Sequence, residues 1–278
     1  MKKKSFSSQQ VIVSGATGFV GQHLIPLLLK QGYEVVAIAR NKKKAESFDW
    51  YSSVNFICAD IYDKEINILP KKNSSLIHLV WQDLSSYNSL THLEENFPRS
   101  SYFIKSLVDT GVSNVLVTGT CFEYGFQSGP LDTAKPARPS NPYALAKDAL
   151  HKYLIILKKN RPFALKWARL FYLYGEGQKA NSIMSQLDTA IDKGEKIFNM
   201  SGGEQLRDFL SIEHAVEKIM GIFQNDKEGV FNVCSGKPIS IRRLVEERII
   251  ERGASIKLNL NHYPYPDYEP MAFWGDSS

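Results

Sequence analysis

Cysteine is scarce in this sequence: Cys58, Cys121 and Cys234 stand far apart, with no CxxC pair and no even framework. That pattern indicates neither a disulfide scaffold nor a zinc site. Cys58 and Cys234 fall in apolar, strand-like runs and read as buried free thiols of a reducing compartment. His23, His92, His151, His214 and His262 show no metal-ligand spacing, so no metal is expected. His78 ends an apolar run and reads as a packed strand residue, with the lining of a pocket as the alternative. No apolar stretch is long and uninterrupted enough to span a bilayer. The N-terminal MKKKSFSSQQ is basic but lacks the apolar h-region of a signal peptide. Internal repeats and low-complexity linkers are absent. A soluble cytoplasmic protein with no membrane partner is expected.

What is present is an ordinary globular mixture. The chain has 278 residues, 43% hydrophobic and 23% charged. That is ample for a buried core, in one large domain or two small ones. The net charge of +5 gathers partly in Lys2–Lys4 and Lys42–Lys44. A mildly basic balance suits an anionic substrate or cofactor. No long basic stripe with interleaved aromatics occurs, so nucleic acid is not an expected partner.

Apolar strand-like runs alternate with helical stretches. Strands are expected at Val11–Ser14, Glu34–Ala39, Val54–Cys58, Leu76–Val80, Asn114–Thr118, Phe163–Leu170 and Val230–Val233. Helices are expected from Gly18 to about Gln31, Ser89 to Thr110, Pro142 to Lys159, Ser182 to Lys193, Ile212 to Gln224 and Ile241 to Glu251. The alternation predicts an α/β fold with a doubly wound, Rossmann-like parallel sheet. After Leu170 the pattern loosens. Residues 1–170 read as a dinucleotide-binding domain, and 171–278 as a small α/β substrate lobe packed back onto it. The tail HYPYPDYEPMAFWGDSS reads as irregular, with Met271, Phe273 and Trp274 closing the lobe or forming an interface.

The turn after the first strand is Gly15-Ala16-Thr17-Gly18-Phe19-Val20-Gly21, spaced GxxGxxG. Glycine there permits a sharp turn and close approach of a pyrophosphate, which the helix start can bind. The turn follows a strand and opens an amphipathic helix, the context such a motif requires. Gly15, Thr17, Gly18, Phe19, Val20 and Gly21 are therefore candidate cofactor contacts. Strand two ends in Arg40 rather than the Asp or Glu of an NAD site, which favours the 2′-phosphate of NADP(H) over NAD(H). A solvated basic helix start is the plainer reading. Asp60, with Ile61 beside it, suits either the adenine or a helix N-cap, and Leu79 stands at the end of strand four.

Tyr143 and Lys147 are four apart on a predicted helix and share a face. An ammonium beside a phenol lowers its pKa and makes it a proton donor or acceptor near neutrality. The spacing alone is common on helix surfaces. Thr120, however, stands at a strand C-terminus, the edge where parallel sheets bind ligands. Thr120, Tyr143 and Lys147 together form a set for carbonyl–alcohol chemistry.

GATGFVG, TGTCFEYG, YALAK, ARLFYLYG, RDFLSIEHAVEKI and FNVCSGKPISIRRL run in order from residue 11 to about 245. With them the chain resembles the extended short-chain dehydrogenases, the NAD-dependent epimerase/dehydratase family. The resemblance implies a nucleotide-diphosphate-sugar substrate and catalytic roles for Thr120, Tyr143 and Lys147. It implies that Asn96 steadies the central helix and that Arg207 binds the substrate diphosphate; otherwise Arg207 reads as an ion-pair partner. Phe122 and Tyr172 are the other expected substrate contacts, Tyr172 with core packing as its alternative.

The family's 4,6-dehydratases carry Asp-Glu directly after the Thr, where this chain has Cys121 and Phe122. Glu123, one step on, is expected to point elsewhere on an extended segment. The blocks PSNPYALAKDAL and YEPMAFWGD look most like bacterial reductases of nucleotide-linked 4-keto-6-deoxyhexoses, which supply surface polysaccharide. Members usually continue past WGD into a final helix; this sequence stops at Ser278, so that helix is absent or the chain shortened. The expectation is NADPH-dependent reduction at C4 of such a sugar, with dTDP as its nucleotide. A C4-epimerase holding NAD tightly and a non-catalytic dinucleotide-binding regulator are the alternatives. Analogy adds a homodimer through the helices Ser89–Thr110 and Pro142–Lys159.

Overall fold

Seven short apolar strands organise the chain. The structure, a computed structural model, describes residues 9–63, 66 and 68–276; the basic lead Lys2–Lys4 and Ser278 lie outside them. The strands are β1 (Gln10–Ser14), β2 (Glu34–Ala39), β3 (Asn55–Cys58), β4 (Ser75–His78), β5 (Asn114–Thr120), β7 (Ala164–Leu170) and β11 (Gly229–Val233). They form one sheet in the order β11-β7-β5-β4-β1-β2-β3, every pair parallel. β1 and β4 are buried along their whole length, as strands covered on both faces must be. Their runs are accordingly continuous rather than alternating.

Helices α1 (Phe19–Lys30) and α6 (Ile212–Gln224) cover one face. Helices α3 (Phe97–Asp109) and α4 (Pro142–Asn160) cover the other. The expected helix from Ser89 begins instead with a π-helical turn, His92–Asn96, which runs into α3 with Pro98 in its first turn. Such turns are rare and tend to mark functional positions. A short α2 (Lys42–Glu46) follows β2, its N-terminus capped by the Asn41 side chain.

The sheet reverses winding between β1 and β4, where Ser14 lies opposite His78. That crevice at the strand C-termini is where a doubly wound sheet binds its ligand. Residues after 170 contribute α6 and the edge strand β11 to the main layer. They also form a second sheet of β8 (Tyr172–Tyr174), β10 (Leu206–Ser211) and β12 (Pro238–Ser240). Helices α5 (Ile183–Asp192) and α7 (Ile241–Glu251) pack with β9 (Ile197–Asn199) and β13 (Lys257–Asn259) into a small core around Leu187 and Val245.

Two expectations are corrected here. The tail is not wholly irregular: β14 (Phe273–Gly275) pairs in parallel with β6 (Gly129–Leu131). It is pinned by Asp208, whose carboxylate accepts from Gly275 N–H as well as from Ser235 and Gly236. Cys58 is exposed, because β3 is the last strand of the sheet. Among the described residues no helix is long and apolar enough to cross a membrane.

Candidate active site

Gly15 takes φ +81°, and a Cβ there would stand 3.2 Å from the Val80 amide nitrogen. On Gly21 a Cβ would lie 2.3 Å from the Gly15 carbonyl oxygen, and on Gly18 it would lie 3.0 Å from that oxygen. The turn is thus compressed against α1 and β4 in a way only glycine allows. Gly18 caps α1 with no side-chain hydrogen bond, and no acidic residue stands in the first turn. The helix start keeps unpaired N–H groups and a positive dipole end for an outside anion. These features fit a dinucleotide pyrophosphate. Thr17, Phe19 and Val20 are half-buried on this turn.

Arg40 is exposed and its Nη1 lies 3.4 Å from the Asp60 carboxylate. Asp60 also accepts the Tyr62 N–H at 3.0 Å. The two residues expected to reach a cofactor independently therefore form one pair across the β2 and β3 ends. Ile61 is buried beside them, and Leu79 donates its N–H to Ser14 O at the switch point. His78 is buried, its Nδ1 2.9 Å from Ser14 Oγ, while Nε2 has no partner. Burial, with the nearby Lys147 charge, pulls the ring down to about 3, so it is neutral at physiological pH.

On α4, Asn141 caps the helix by accepting the Ala144 N–H, and Pro142 occupies the first turn. Tyr143 and Lys147 follow at helical spacing and both are buried. Lys147 Nζ donates to the Thr118 carbonyl at 2.7 Å and lies 4.0 Å from the centre of the Trp81 ring. Burial pulls the ammonium down to about 7, with Glu123 opposing. Burial pushes the Tyr143 phenol far up, and the Thr120 hydroxyl beside it pulls back. The expected lowering of the Tyr143 pKa by Lys147 is not what the geometry gives: burial dominates and the shift is upward. Tyr143 is a protonated acid at neutral pH.

Thr120 ends β5 and begins a short 3₁₀ turn, Cys121–Tyr124. Its N–H donates to Glu123 Oε1 at 2.8 Å, and its Oγ1 accepts the Phe122 N–H at 3.3 Å. Glu123 points away from the reacting side into the core. There it accepts from Trp167 Nε1 and from Arg169 Nε at 2.7 Å. Gly119 lies under this network: an added Cβ would stand 2.2 Å from Trp167 Nε1 and 2.5 Å from Glu123 Oε1. Gly119→Ala is expected to cost about 1–3 kcal/mol by overpacking, read as a lower urea midpoint; an unchanged midpoint would show that the Trp167 ring can give way.

Aromatic side chains roof Tyr143. Tyr87 stacks on it at 5.3 Å between centroids, with His92 at 5.2 Å, Trp81 at 6.2 Å and Phe122 at 6.4 Å. Tyr268 reaches from the tail onto Tyr87 and Phe122. Asn96 donates to the Gln82 carbonyl and lies 3.1 Å from His92 Nδ1. Tyr172 stands 6.3 Å from Phe122 and donates its hydroxyl hydrogen to Glu269. Arg207 is buried, ion-paired with Glu269 at 2.7 Å, and over the Phe273 ring at 4.5 Å. Its expected anion is thus represented by a carboxylate of the chain itself.

Thr120, Tyr143, Lys147, Phe122, Tyr172 and Arg207 come together at one end of the sheet, whereas Arg40 and Asp60 flank the far end of the crevice. Sequence reading missed Trp81, Tyr87, Tyr268 and Glu269. Trp81 carried a signal, standing just past a parallel strand's C-terminus; the tail pair carried none beyond aromatic composition. Among the described residues no cluster of His, Cys, Asp and Glu could hold a metal ion.

Comparison with known proteins agrees with this architecture. Residues 11–234 match the family described as "NAD dependent epimerase/dehydratase family". The dTDP-6-deoxy-L-talose 4-dehydrogenase (NAD(+)) of Aggregatibacter actinomycetemcomitans is 33% identical over 270 residues, covering 95% of this chain and 98% of that one. The CDP-abequose synthase of Salmonella typhimurium (strain LT2) is 25% identical, covering 86% and 79%. In fold, the UDP-N-acetylglucosamine 4-epimerase of Methanobrevibacter ruminantium M1 superposes with a TM-score of 0.83 at 24% identity, covering 98% of this chain and 90% of that one.

Proposed function

The chain belongs to the NAD dependent epimerase/dehydratase family, and from that premise we propose that it reduces the C4 keto group of a nucleotide-linked 4-keto-6-deoxyhexose, with dTDP as the nucleotide. The observation that carries the reading is a buried, protonated Tyr143 beside Thr120, with no acid at Cys121 or Phe122. A protonated phenol suits reduction, where the sugar oxygen must gain a proton. With Cys121 and Phe122 in place of carboxylic acids, the site lacks a second acid to protonate a leaving hydroxyl while Tyr143 serves the C4 oxygen. The 33% relative supports the substrate class, since its name describes the same C4 position of a dTDP-6-deoxy sugar. That name describes oxidation; hydride transfer is reversible, and one site serves both directions.

A nicotinamide cofactor, when bound, supplies the hydride. The Gly15–Gly21 turn would hold its pyrophosphate, Arg40 would serve its adenosine ribose, and Lys147 would hold its nicotinamide ribose. Tyr143 gives its phenolic proton to the oxygen at C4, and Thr120 hydrogen-bonds that oxygen. In the lobe of residues 171–278, Arg207 receives the diphosphate as Glu269 yields its place. The exposed Arg40 favours NADP(H); the relative's name favours NAD(+). The α3–α4 pair exposes Tyr102, Leu145, Ile155 and Ile156, which supports a homodimer through these helices.

The test is absorbance at 340 nm with dTDP-4-keto-6-deoxyglucose and NADPH, then NADH. Consumption is expected with both, faster with NADPH; a reversed preference overturns the cofactor choice alone. The Asp60 carboxylate, which already pairs with Arg40 at 3.4 Å, favours a second reading, a C4-epimerase with tightly held NAD. No consumption, with NAD released on denaturing the purified protein, would establish that reading instead.

A further inference from the structure

Trp81 touches both members of the Tyr–Lys pair. We propose that Trp81 is a positioning residue, whose indole face carries the Lys147 ammonium and whose edge is locked by His92, so that the lysine is held beside Tyr143. The proposal rests on the reading above only for the use made of Lys147.

The lock follows from donors and acceptors. His92 Nε2 lies 2.9 Å from the Ser86 carbonyl oxygen, which only accepts, so Nε2 carries the hydrogen. His92 Nδ1 then has a free lone pair. It accepts the Trp81 indole N–H at 3.1 Å, and the Asn96 amide nitrogen stands 3.1 Å from the same atom. A protonated His92 would set N–H against N–H, so the lock requires the neutral ring. Burial pulls the His92 pKa down, which favours that form. Asn96 is delivered by the π-helical turn, which ends on it. The plane of Trp81 is thereby fixed from its edge.

The face of that plane meets Lys147 at 4.0 Å, and the ring packs edge-to-face with Tyr143 at 6.2 Å and 65°. Apart from the ring, the ammonium has the Thr118 carbonyl as its hydrogen-bond acceptor. The titratable groups that face Lys147 are Tyr143 on α4, His78 on β4, His92 on the π-helical turn and Glu123 on the turn after β5. His78 and His92 are held neutral by burial, Tyr143 is a protonated phenol, and Glu123, engaged by Arg169, acts only at a distance. The ring quadrupole is therefore a main support of the charged lysine. A desolvated cation–π contact favours the charged form. It works against the burial that brings the ammonium down to about 7.

Loss of the ring should lower the Lys147 pKa by about one unit, and a phenyl ring should restore part of it. The first readout is the Lys147 side-chain signal in a ¹³C or ¹⁵N NMR pH titration of the full chain, assigned with Lys147→Met. The midpoint is expected to fall by about one unit in Trp81→Leu and by about half of that in Trp81→Phe. Trp81→Phe keeps most of the ring volume and decides the matter if Trp81→Leu fails to fold. The second readout is the pH profile of kcat for reduction. Charge on Lys147 is lost as pH rises through its midpoint, so the alkaline limb should move down by the same amount with the sugar KM unchanged. An unmoved midpoint in folded Trp81→Phe overturns the proposal. The titration needs no substrate, so a protein that shows the shift yet reduces no sugar overturns the proposed function and leaves the role of Trp81 intact.

Discussion

Tyr143→Phe is expected to slow reduction by about a hundred- to ten-thousand-fold, the contribution of a positioned proton donor. The ring itself should stay. Tyr143 stacks on Tyr87 and meets Trp81 and His92 through its aromatic body, and Phe keeps that body. The thermal midpoint should therefore hold while the rate collapses. The chemistry explains the asymmetry. Burial keeps the phenol protonated, so on the proposed mechanism Tyr143 would be loaded as an acid before the sugar arrives, with the Thr120 hydroxyl beside it to share the developing charge. Single-turnover reduction followed at 340 nm is the measurement. A rate within threefold of wild type would remove Tyr143 from the chemistry and leave Thr120 or a water as the proton source.

Local spacing made much of this legible. Tyr143 and Lys147 share a face because α4 begins where Asn141 and Pro142 say it should, and a 3.6-residue period does the rest. The glycine turn was legible for the same reason: strand, turn and helix are contiguous. What stayed hidden depends on residues far apart in sequence. Nothing near Arg207 announces that Glu269 of the tail returns to it. Nothing near Arg40 announces Asp60 as its partner. The upward shift of Tyr143 is not legible in the sequence, because spacing shows that two groups are neighbours and not how deeply both are buried. Cys58 was misplaced because its apolar run looks alike on a central strand and on an edge. The tail strand β14 is three residues long, too short to show a period.

Glu123 gives the second large effect, on stability. It is fully buried and every group around it is a donor: the Thr120 N–H, the Trp167 indole N–H and the Arg169 guanidinium. Burial pushes its carboxyl up and Arg169 pulls it back, but only the ionised form satisfies a shell made of donors alone. Glu123→Ala would leave the Arg169 charge buried beside Tyr124 with no counter-ion, a loss of about 3–5 kcal/mol. Urea unfolding reads it as a lower midpoint with the slope retained. Glu123→Gln should cost less, because its amide keeps an acceptor for Thr120 but turns a donor toward Arg169 or Trp167. Replacing both partners, Glu123→Leu with Arg169→Met, should recover most of the loss, since removing the two charges together also removes their desolvation. A loss below about 1 kcal/mol in Glu123→Ala would mean that water reaches Arg169. The site should feel the change too. Glu123 holds the N–H of the residue whose hydroxyl faces Tyr143, so a Glu123→Gln protein folded at the assay temperature should still reduce more slowly than wild type. The Glu123 carboxylate thus fixes Thr120 at the end of β5, so that on the proposed mechanism stability and catalysis depend on one buried ion pair.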